Sequence, residues 1–148
     1  MSFAKKVIVA VSPADNIEEL LLPLKEMNFF DQSEVHFVNV FNTITYSHWL
    51  SSTPLVYPIE NDRKEIEALT VKKILEIADH TLPSNFKGRV IAKCLFGDSP
   101  KDAFSDYVNT QKADLVIVAK REKKGLFESS FARFVNNHTK ANILILKK

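Results

Sequence analysis

Ala113–Ala119 (ADLVIVA), Lys120–Glu128 (KREKKGLFE), Ser129–His138 (SSFARFVNNH) and Asn142–Leu146 (NILIL) read as a buried strand, a basic loop, a short amphipathic helix and a second buried strand. Both apolar runs lack the alternation of a sheet with one wet face, so each suits a strand covered on both sides. Two such strands joined through a helix make a crossover unit, the building block of a parallel sheet. The loop ahead of the helix is where proteins of this class cradle a phosphate.

The same pattern extends towards the N-terminus. Lys5–Val11 (KKVIVAV), Glu34–Val40 (EVHFVNV) and Gly88–Leu95 (GRVIAKCL) are three further buried runs. Between the first two, Asp15 stands three residues before Glu18 as a predicted N-cap, and Ile17, Leu20, Leu24 and Met27 share a helical face. Pro23 interrupts that face and predicts a kink. Asn61–Asp79 is the clearest helix, with Ile66, Leu69, Ile74 and Ile77 as its apolar face and Arg63–Glu67 and Lys72–Glu76 as pairs on the wet side. Ser99, Pro100 and Asp102 predict a third helix start, with Ala103, Phe104, Tyr107 and Val108 turned inward. Phe41–Glu60 holds no period and is a long connection carrying Tyr46, His48, Trp49 and Tyr57.

Strands separated by helices predict one α/β domain over residues 1–148: a five-stranded, mainly parallel sheet with helices on both faces. Five such strands allow the order 3-2-1-4-5, which reverses between strands 1 and 4, so a ligand is expected beyond their C-terminal ends. The residues there are Ser12-Pro13-Ala14 and Ala119-Lys120-Arg121. The last strand falls at a sheet edge, where its apolar run invites pairing with another chain.

Composition narrows the function classes. The chain has 148 residues, 45% hydrophobic and 26% charged, enough for one core without low-complexity segments. A net charge of +2 is too small to point to nucleic acid. No apolar run approaches the roughly 20 residues that span a bilayer, so no membrane is expected. The apolar run after Lys5 and Lys6 is short, β-branched and closed by Ser12-Pro13, which suits a strand better than a leader peptide. A single cysteine, Cys94, fits a reducing, cytoplasmic setting and a buried structural role. His36, His48, His80 and His138 lack metal-ligand spacing, and His80 and His138 are expected to bond helix C-terminal carbonyls. Neither a nucleophile elbow nor a dinucleotide fingerprint is present, so no enzyme activity and no metal are expected.

With these pieces in order, the chain resembles the universal stress protein family over nearly its whole length. The resemblance is carried by KKVIVAVSPAD, VHFVNVF, GDSPKDAF, ADLVIVAKR and SSFARFVNNHTKANILIL. It implies an adenine-nucleotide alpha hydrolase-like fold and a homodimer joined through the last strand, here Asn142–Leu146. One group of that family binds ATP with an Asp after strand 1 and a loop of the form G-x2-G-x9-G-[ST]; the group resembling universal stress protein A lacks the loop. In this chain Ser12 stands at the Asp position, and Ala119, Glu122 and Ser129 stand at the glycine positions; only Ser130 matches. Glu122 would oppose a phosphate by charge, and the loop is shorter than the pattern requires. Ser12, Ala119, Ser129 and Ser130 therefore mark a degenerate nucleotide site, with Ser129 and Ser130 expected to cap the last helix beside Lys120, Arg121, Lys123 and Lys124. The resemblance implies a stress-response module acting on an unknown protein partner, without a cofactor. The alternatives are a member responsive to ATP or AMP through a divergent site, and a small phosphate-handling enzyme.

Overall fold

The computed structural model describes residues 5–11, 17–42, 59–120 and 125–147, excepting the side chains of 42, 59–63, 120, 125–130 and 147. Five strands form one sheet: β1 (Lys6–Ala10), β2 (Glu34–Asn42), β3 (Arg89–Gly97), β4 (Leu115–Lys120) and β5 (Asn142–Lys147). Their order is β3-β2-β1-β4-β5, and all four pairings are parallel. This is the predicted α/β architecture, strand reversal included.

Alternate residues of each strand feed two apolar layers. Val7, Val9, Val35, Phe37, Leu115, Ile117 and Leu146 pack on one face. There they meet α1 (Ile17–Leu21), the 3-10 turn that follows it (Leu22–Glu26) and α2 (Ile59–Thr81). Ile8, Val38, Val116 and Val118 pack on the other face. Those residues lie beneath α3 (Pro100–Gln111) and α4 (Gly125–His138). Burial on both sides explains why the strands read as continuous apolar runs.

Four local expectations are revised. The kink at Pro23 takes the form of a change of helix type: α1 ends at Leu21 and the next turn is 3-10 with the proline in its first turn. Proline cannot supply the i→i−4 bond, and a tighter turn accommodates that loss. On α2, Ile74 and Ile77 are buried but Leu69 is 64% exposed, and Thr70 occupies the inward position instead. Neighbouring helical residues point about 100° apart, so Thr70 facing inward turns Leu69 out.

Ser99 sits at the N-cap of α3 with extended backbone, yet its side chain makes no capping bond. The start rests on Pro100 and on the backbone bond from Ala103 N to Ser99 O at 3.0 Å. Finally, α4 begins at Gly125, so Ser129 and Ser130 lie in its second turn and are not its N-cap. The predicted N-cap Asp15, the pair partner Arg63 and the loop aromatics Tyr46, His48, Trp49 and Tyr57 lie outside the described residues or side chains.

Candidate functional site

A crevice is expected where the strand order reverses, between β1 and β4. β1 and β4 are paired only from Val7–Leu115 to Val9–Ile117. Beyond that point β1 stays with β2, Val11 N donating to Val38 O at 2.9 Å. β4 stays with β5 as far as Lys120–Lys147. The two central strands part at their C-terminal ends, which is the geometry that opens a ligand crevice in sheets of this order.

Ala119 stands at the lip of this crevice, in register with Leu146. Its side chain is half-buried and packs against the layer beneath α1 and α2. A glycine there would leave the backbone without a Cβ; the Ala119 methyl packs on the core side. Ser12, Arg121, Glu122, Lys123 and Lys124 lie outside the described residues, as do the side chains of Lys120, Ser129 and Ser130. Among the expected site residues, Ala119 alone therefore has a described side chain. The helix N-terminus nearest the loop belongs to Gly125 rather than Ser129, so the serines lie past the first-turn N–H groups that attract anions.

A second polar constellation, at the opposite ends of the strands, escaped the sequence reading. His36 is buried, with Nε2 2.8 Å from Glu34 Oε2 and Nδ1 2.6 Å from the Tyr107 hydroxyl. With the carboxylate ionised, Nε2–H donates to Glu34, which leaves Nδ1 of the neutral ring to accept from Tyr107 O–H. The hydrogen bond from His36 holds Glu34 below the usual carboxylate range, assisted by Lys6 and Arg89 at 3.6 Å each. Burial, with the Glu34 charge, pushes the Tyr107 phenol up. The His36 contacts with Glu34 and Tyr107 tie β2 to α3. Glu34 and His36 share a strand face two residues apart, a spacing visible in sequence; their partner Tyr107 is 71 residues further on.

The other titratable residues have local roles. His138 Nδ1 lies 2.8 Å from Phe134 O, as expected near a helix end. His80 instead reaches Glu18 Oε1 at 3.3 Å, linking α2 to α1. Cys94 is buried. Among the described residues no group of three or more His, Cys, Asp or Glu could hold a metal ion. No described helix is long and apolar enough to cross a membrane.

No family model matches the chain, and no curated protein is similar enough in sequence to match it. Solved structures do match. The hypothetical protein MJ0577 superposes with a TM-score of 0.71 at 15% identity, covering 97% of this chain and 96% of that one. The universal stress protein UspA from Lactobacillus plantarum superposes at 0.61 and 14% identity, covering 96% and 97%. The chain has the universal stress protein fold. A universal stress protein from Archaeoglobus fulgidus in complex with dAMP shares it, with a TM-score of 0.55, 16% identity and coverage of 97% and 98%. The universal stress protein fold thus includes a nucleotide-bound example.

Proposed function

We propose that this chain is a universal stress protein resembling the universal stress protein A group: a dimeric, non-enzymatic module of the cytoplasm that acts through protein contacts and does not bind ATP tightly. The observation that carries the reading is Ala119. At the crevice lip, where the ATP-binding pattern has its first glycine, the chain holds a methyl group packed into the core. The sequence adds Ser12 for the Asp, Glu122 and Ser129 for the other glycines, and a shortened loop. Calorimetric titration with ATP, ADP and AMP tests this. Heats indistinguishable from dilution are expected, and micromolar ATP binding would overturn the reading in favour of a nucleotide-responsive member.

The proposed dimer uses β5, an edge strand. Leu146 is buried and Leu144 half-buried against the core, whereas Ile145 is 40% exposed. Lysine at Leu144 or Leu146 would therefore damage the fold as well as any interface, and Ile145→Lys is the clean variant. Light scattering should give a dimer for the wild type and a monomer for Ile145→Lys with an unchanged circular dichroism spectrum. A monomeric wild type would refute the assembly.

A further inference from the structure

We draw no further inference here: the strongest candidate, the side-chain cluster that joins Glu34 and the buried His36 on β2 to Tyr107 on α3, carries none, because both ring nitrogens of His36 are taken up within the fold and nothing among the described residues shows a ligand or partner reaching them.

Discussion

At the N-terminal ends of the strands, polar side chains close the sheet: Glu34 meets Lys6, His36 and Arg89, and Asp114 Oδ2 accepts from the backbone of Lys5 at 3.1 Å and of Lys6 at 2.9 Å. At the C-terminal ends the two central strands part, and Ala119 and the stacked pair Phe41–Phe96 mark the rim. One end is fastened by hydrogen bonds and charge across three strands. The other is open only in that β1 and β4 stop pairing at Val9–Ile117 among the described residues, where sheets of this order take ligands. Stability and binding are thus separated along the strand axis, so substitutions at the two ends should behave differently.

β3 offers the largest contrast, because it has a glycine near each end. A Cβ on Gly88 would lie 1.9 Å from Ser33 O, and that backbone oxygen is already bonded to Arg89 N. Neither group can yield without opening the β2–β3 ladder. Gly88→Ala is expected to cost about 3 kcal/mol, read as a large drop in urea midpoint. At the other end, a Cβ on Gly97 would meet the Ala103 methyl at 3.1 Å, a contact that a small shift relieves. Gly97→Ala should cost about 1 kcal/mol or less. Equal losses would contradict the division between a fastened and an open end.

How far the sequence revealed this division depends on how each interaction is encoded. The strands were legible because burial on both faces leaves unbroken apolar runs such as Val7–Val9 and Leu115–Val118, and five such strands allow the order 3-2-1-4-5 without fixing it. The crevice followed from the order alone. The inward face of α2 was legible only in part: Ile74 and Ile77 are buried, but so are Thr70 and Thr81, while Leu69 is not. Thr81 can be buried because its hydroxyl donates to Ile77 O at 2.8 Å, a bond that hydrophobic periodicity does not register. The start of α4 was missed because Gly125–Glu128 sits within a charged stretch and resembles loop in composition. The His36 relay needed a helix far along the chain to complete it.

The fastened end should also respond to acid. Glu34 has its carboxyl lowered from 4.5, mainly by the hydrogen bond from His36. A lowered carboxylate stabilises the fold above its unfolded value, and that contribution is lost as pH falls through the folded one. The wild type should therefore lose stability on acidification below about pH 4.5. Glu34→Gln keeps an acceptor for His36 but carries no charge, so its stability should fall less over the same range. At neutral pH the variant should be weaker by about 1.5 kcal/mol, the size of one charge-assisted hydrogen bond. Parallel pH profiles for the two proteins would remove Glu34 from the account of the fastened end.

The smallest effect is expected at the open end, at Ser99. A serine that caps a helix typically loses about 1 kcal/mol on replacement by alanine, because a first-turn N–H is left without its partner. Ser99 occupies the position but makes no such bond. The entry to α3 is set instead by Pro100, whose fixed φ suits the first helical position, and by Asp102 beside the positive end of the helix. Ser99→Ala should accordingly change stability by about 0.5 kcal/mol or less in urea denaturation. A loss of about 1 kcal/mol would mean that the hydroxyl does cap the helix in solution. The open end would then be fastened by a side chain at β3 after all, and the contrast between the two ends would be confined to β1 and β4.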